Sequence, residues 1–171
     1  MSKIGVRLLT GLIGINIIFL LGCTTTQIVE QHALFVPATQ KHSTLYFIRP
    51  TLQRTRGVAD NDINIELDNK LALTLSLGEY AAVNIKPQKI NVTLTNLSYI
   101  TAHVMPDEVK RSKRFDFAAG ETYFILTDFR QEEFRGVYFK PVILEREKAL
   151  SMIKTLKPAG KIARNNADKL M

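Results

Sequence analysis

The sequence predicts a mainly β fold: a small antiparallel β-sandwich of the immunoglobulin or transthyretin-like kind, closed by one C-terminal helix. Three observations predict it. From Thr44 onward apolar residues recur at every second position in short runs. In "KINVTLTN", Ile90, Val92 and Leu94 alternate with Asn91, Thr93 and Thr95, the pattern of a half-buried strand. Turn-forming residues separate these runs. Near the end the period changes, and Ala149, Met152, Ile153 and Leu156 fall at i, i+3, i+4 and i+7, one face of a helix.

The chain begins differently. Lys3 and Arg7 form a short positive region, and Leu8 to Leu21 is apolar apart from Thr10 and Asn16. Only about fifteen residues separate Arg7 from Cys23, so a helix there spans roughly 22 Å. A bilayer core needs roughly twenty residues. The run is short for a membrane span and suits a secretory leader, residues 1–22. The chain's one cysteine follows directly. Leu20-Leu21-Gly22-Cys23 resembles the lipobox of bacterial lipoproteins. That resemblance implies cleavage between Gly22 and Cys23, with a diacylglycerol and an N-acyl chain placed on Cys23. With Cys23 acylated, the remaining chain has no thiol for a disulfide, a thiolate metal site or a nucleophile. In that class an Asp after the cysteine retains the protein in the inner membrane of enteric bacteria. Thr24, Thr25 and Thr26 follow here, which implies the inner leaflet of the outer membrane, facing the periplasm.

Residues 23–43 show little periodicity and read as a tether. Twenty flexible residues reach roughly 25 Å r.m.s.. Its apolar Ile28, Val29, Leu34, Phe35 and Val36 allow part of it to dock on the domain. The sandwich is expected over 44–144. "STLYFIRP" reads as a strand ended by Pro50, and "TLQRTRGVADND" as a polar loop. "INIELDNKLALTLSLGEYAAVNIKP" reads as consecutive short strands. Asp68-Asn69-Lys70 turns the first hairpin, Gly78-Glu79 marks the next turn and Pro87-Gln88 the one after. "YITAHVMP" is a weaker strand candidate, and "DEVKRSKR" reads as a charged loop. "FDFAAGETYFILTDF" predicts two strands around Ala119-Gly120, with Tyr123 and Ile125 expected on opposite faces of one strand and at least one of them buried. "RGVYFKPVILERE" closes the sheet. The amphipathic helix is expected over 145–157, its apolar face packed on the core and Pro158 ending it. Residues 158–171 read as a basic, fraying tail.

"LYFIRP", "INIELDNKLALTLSLGEYAAVNIKP" and "AAGETYFILTD" resemble the lipoproteins of the domain-of-unknown-function 2846 family. Tyr46, Phe47, Arg49 and Pro50 match that family's Tyr-Phe-x-Arg-Pro strand. Asp68, Lys70, Gly78 and Tyr80 match its hairpin, and Ala119, Gly120 and Tyr123 its later strand. Asn69 stands where the family carries a turn Gly, and Gln88 where it carries the Gly of a Pro-Gly turn. The resemblance covers roughly 44–156. It implies a small β-sandwich on a lipid anchor and brings no catalytic residues.

The chain contains no G-x-S-x-G, phosphate loop or H-E-x-x-H. Asp60-Asn61-Asp62-Ile63-Asn64 begins like a calcium loop, but Ile65 and Leu71 stand where such a loop needs Gly and Glu. His32, His42 and His103 lack ligand spacing, so no metal site is expected. Glu132-Glu133 reads as a solvated turn rather than a catalytic pair. Lys3 and Arg7 leave with the leader, so 23 basic side chains become 21 against 16 acidic, and the formal charge falls from +7 to +5. This favours anionic surfaces and is far from a nucleic-acid-binding composition. Lys110, Arg111, Lys113 and Arg114 form the best candidate contact for an anion or partner, with Arg54 and Arg56 able to join if the loops meet.

Three function classes follow, in order of preference. The first is a non-catalytic binding or structural module with protein partners in the cell envelope, such as a subunit of an envelope or secretion assembly. The second is a lipoprotein that holds a cell-wall or lipid fragment. The third is an enzyme. No cofactor beyond the acyl groups on Cys23, and no nucleic-acid partner, is expected.

Overall fold

A computed structural model describes residues 41–51, 61–99, 105–133 and 136–170. The leader, the tether as far as residue 40, most of the 51–62 loop and the "YITAHVMP" segment from 100 to 104 lie outside the described residues. Among the described residues nine strands run in chain order: β1 (Ser43–Arg49), β2 (Ile63–Leu67), β3 (Lys70–Leu75), β4 (Glu79–Ile85), β5 (Gln88–Ser98), β6 (Asp107–Phe117), β7 (Thr122–Glu132), β8 (Gly136–Leu144) and β9 (Lys157–Ala159). Helix α1 (Arg146–Ile153) precedes β9, and α2 (Gly160–Leu170) follows it.

The strands form a sandwich of two sheets. One sheet has the order β3-β2-β5-β6, all antiparallel. The other has the order β8-β7-β1-β4-β9, and in it β1–β7 and β4–β9 run parallel, so the sandwich is not antiparallel throughout as the sequence predicts. Between the sheets lies the main core: Leu45, Phe47, Ile63, Ile65, Val92, Leu94, Ile125 and their neighbours, most without exposed area. Ile125 is fully buried there, and Tyr123 packs part-buried against the same core, so the two share a face rather than taking opposite ones, as residues two apart on a strand must.

The second face of the five-stranded sheet carries its own core. Tyr46, Ile48, Tyr80, Ala82 and Phe124 point away from the sandwich and are covered by Ala149, Ile153, Leu156 and Ala163. The described residues therefore form three layers: sheet, sheet and helices. That explains β1, buried at every position but Thr44: a strand covered on both faces becomes a continuous apolar run.

Local chemistry sets the turns. Asp68 and Asn69 adopt φ of 47° and 63°, the pair of left-handed residues that a two-residue hairpin needs. The Asp68 carboxylate accepts the Asn91 amide at 2.8 Å, tying the hairpin tip to β5. Pro87 and Gln88 stand where the chain passes from one sheet to the other. The sheets also meet at the start of β8. Asn96 donates to the Val137 carbonyl at 3.0 Å, and the Val137 amide donates to the Ser98 hydroxyl at 2.7 Å. Gly136 makes this approach possible. Its φ is +64°, and a Cβ there would fall on the Ser98 hydroxyl and 2.6 Å from the Tyr99 carbonyl oxygen.

Two segments differ from the sequence expectation. "DEVKRSKR" is not a loop but most of β6, paired with β5 at all eleven positions. It is an edge strand, where cationic side chains are the usual guard against pairing with another chain. Its core contacts come from Val109, Phe115 and Phe117, and the cations between them hide that period. The C-terminus also differs. Ala149 and Ile153 are buried as the helical stripe predicts, but α1 ends at Ile153 and Pro158 lies in β9, on a sheet edge. The segment read as a fraying tail forms α2, with Ala163 buried and Ile162 and Leu170 packed on the second core. Gly160, at φ +74°, turns the chain from β9 into it.

Candidate functional site

The site residues read from the sequence fall into two groups. Gly22 and Cys23 lie outside the described residues, as do Arg54, Arg56, His32 and His103. Lys110, Arg111, Lys113 and Arg114 all lie on β6, and the strand divides them. Successive side chains of a strand point to opposite faces. Lys110 and Arg114 therefore share the outer face with Ser112, while Arg111 and Lys113 sit at the register of Val109 and Phe115. They are not one four-charge patch.

Their surroundings differ as well. Lys110 donates to Glu66 at 3.2 Å and pairs with Glu108 at 2.9 Å. Hydrogen bonds to Glu108 and then Glu66 hold its ammonium pKa above the ordinary value. Arg111 donates to the Lys110 carbonyl at 2.9 Å, and its guanidinium lies 4.4 Å from the centre of the Tyr138 ring. This stacking joins β6, the edge of one sheet, to β8, the edge of the other. Lys113 lies 5.3 Å from the centre of the Phe115 ring. Arg114 stands opposite Asn91 in the register and is exposed. Two of the four cations are thus engaged in holding neighbouring elements together, and two remain presented to solvent.

The remaining candidates sit in the sheet and its turns. Glu132 accepts the Tyr138 hydroxyl, a bond within the β7–β8 hairpin, and Glu133 sits in the turn beyond it. Asp62 precedes β2, and Ile65 is fully buried within that strand, so the calcium-like run from residue 63 on is sheet and not loop. Among the described residues no three His, Cys, Asp or Glu side chains come together as a metal site would require.

One residue gains a meaning that its sequence motif did not carry. Arg49 is 1 % exposed, the largest of the fully buried side chains. Nη1 donates to the Leu75 carbonyl at 2.6 Å and Nη2 to the Asn61 carbonyl at 2.5 Å. The guanidinium lies 5.7 Å from the Phe139 ring centre. Arg49 thereby ties β1, in one sheet, to the end of β3, in the other. Its charge is held by carbonyl dipoles and a ring face, the compensation that a buried cation needs.

A second feature was read from the sequence only in part, as the basic character of 158–171. The helical layer carries exposed cations along its whole length: Arg146, Lys148, Lys154, Lys157, Lys161, Arg164 and Lys169. The signal was the local charge balance of 145–171, seven basic against three acidic side chains.

No known protein family matches the chain, and no curated protein or solved structure is found to be similar to it.

Proposed function

We infer that this chain is a lipid-anchored bacterial envelope protein, held in the inner leaflet of the outer membrane and facing the periplasm, which acts by contact and not by catalysis. It serves as a binding or structural module, for instance a subunit of an envelope or secretion assembly. The observation that carries this reading is Leu20-Leu21-Gly22-Cys23, set at the end of a charged and then apolar leader and followed by Thr24. The likeness of three segments to the domain-of-unknown-function 2846 lipoproteins agrees with it. The anchoring side chain is Cys23, and its acyl groups are the only covalent additions that the reading needs.

The second reading is a lipoprotein that holds a cell-wall or lipid fragment, with Lys110, Arg111, Lys113 and Arg114 as its contact; a deep apolar pocket between the sheets would favour it. The test has two arms. A palmitate analogue fed to cells should label the wild type and not Cys23→Ser. Crosslinking in intact cells should then recover partner proteins with the wild type and lose them with Cys23→Ser. Recovery of the same partners without the acyl anchor would contradict the reading.

A further inference from the structure

We propose that the helical layer is the face by which the domain lies against an anionic phospholipid surface. The inference rests on the anchored reading above and names the surface that the anchored domain presents. After Cys23 the chain carries a formal +5, and residues 145–171 alone carry +4, with seven basic and three acidic side chains. The part from 24 to 144 is nearly balanced, 14 basic against 13 acidic. The charge of the mature chain is therefore concentrated on one of its three layers.

That charge is available. All seven cations are exposed: two on α1, two in the link around β9 and three on α2. Among the described residues none of the seven enters an ion pair. On β6, by contrast, Lys110 is held by two carboxylates and Arg111 by a ring. The layer is also broad, laid over one face of a sheet rather than gathered around a cleft. Spread charge of that kind complements a uniformly charged surface better than a shaped ligand.

The apolar side of both helices is already committed. Ala149, Ile153 and Ala163 are buried against Tyr46, Ile48 and Tyr80. A basic amphipathic helix that is free inserts its apolar face into the headgroups. These helices cannot do so without opening the second core. The contact is electrostatic, reaches only about a Debye length, roughly 8 Å at physiological salt, and dissolves as salt rises.

The test reads contact directly. The full-length lipidated protein, carrying one fluorophore on Asn165→Cys in the exposed part of α2, is placed in phosphatidylcholine vesicles with a headgroup-level quencher, without or with about a third phosphatidylglycerol. Quenching is expected to rise at least about threefold with the anionic lipid and to vanish near 500 mM salt, where the Debye length is only about 4 Å. Changing Lys148, Lys154, Lys157, Lys161 and Lys169 together to Gln should remove the rise, and changing the same five to Arg should keep it. A fluorophore on Ser112→Cys, on the outer face of β6, should report no rise. Equal quenching on both vesicles, a rise at Ser112 instead, a rise that survives in the Gln variant, or protection of the Asn165 label by peptidoglycan sacculi with no lipid dependence would each overturn the proposal. Flotation with neutral vesicles reads the acyl anchor separately. In the Cys23→Ser background the same α2 label still reports the surface contact, so a failed anchor and a failed surface give different results.

Discussion

Arg49 shows how one residue can join two sheets. Arg49 donates to the buried Leu75 carbonyl and to the Asn61 carbonyl at the mouth of the loop, and the first of these bonds lies where water cannot replace it. An acceptor left without a donor in such a place costs about 1–3 kcal/mol. Arg49→Met should therefore lower the stability by about 2–5 kcal/mol in urea denaturation. Arg49→Lys should lose part of that, because an ammonium lacks the planar fork that spans two acceptors. A loss below about 1 kcal/mol for Met would mean that the guanidinium is incidental to the fold. Tyr46 and Tyr80, under the helices, make a second residue-scale case. Burial pushes both phenols above the ordinary value. The Asn166 amide, which donates to the Tyr46 hydroxyl at 3.0 Å, and then the Arg146 charge offset part of this for Tyr46. For Tyr80, the nearby Tyr46 and Asp168 add to it. A raised phenol pKa favours the neutral form in the folded protein. Its stabilisation is complete below about pH 10 and is lost as the pH climbs through the raised value. Thermal melts should fall steeply above about pH 10, and Tyr80→Phe should soften that fall. An identical alkaline profile for the variant would show that Tyr80 ionises freely.

At the scale of the element, β6 separates charge from role. Neutralising Lys113 and Arg114 with Gln should leave the urea midpoint almost unchanged, within about 0.5 kcal/mol, since both are presented to solvent. Adding Arg111→Gln should remove a further 0.5–1 kcal/mol or so, the worth of a cation stacked on a ring. Unfolding by the first pair alone would show that those side chains are structural. The same strand marks the limit of what periodicity can say. β5 was legible because Ile90, Val92 and Leu94 meet the core and polar residues fill the gaps. β6 was not, because Arg111 and Lys113 occupy the register of Val109 and Phe115, and at an edge that register reaches solvent and the neighbouring ring. α2 was hidden for the opposite reason. Only Ala163 is fully buried on it, with Ile162, Asn166, Ala167 and Leu170 part-buried beside it, so its apolar face holds just two large side chains, eight residues apart. The stripe of α1, made of Ala149, Met152 and Ile153, was plain.

At the scale of the whole molecule, the layered order has a consequence for function. The outward face of one sheet is mostly polar and charged, with Leu71 and Leu97 exposed on it, and the outward face of the other is given to helices that carry most of the net charge. Parallel pairing of β1 with β7 follows from that plan, since a strand at the centre of the covered sheet is buried on both faces and no local turn joins it to its neighbour. Sequence periodicity reports which residues face inward but not which distant strands pair, so the sandwich was legible and its mixed sheet was not. The candidate contact cations were legible only as a run of charge along the sequence. Their division between the two faces of β6, and the concentration of exposed cations on the helices, needed the strand register and the packing.

Everything in the functional account depends on Cys23 joining this domain to a membrane. The most direct measurement is the intact mass, with N-terminal fragmentation, of the protein extracted from the membranes of its own cells. The account predicts a chain that begins at Cys23 and carries a diacylglycerol and an N-acyl group. A chain that begins at Met1, or one that begins near residue 23 with an unmodified thiol, would contradict it.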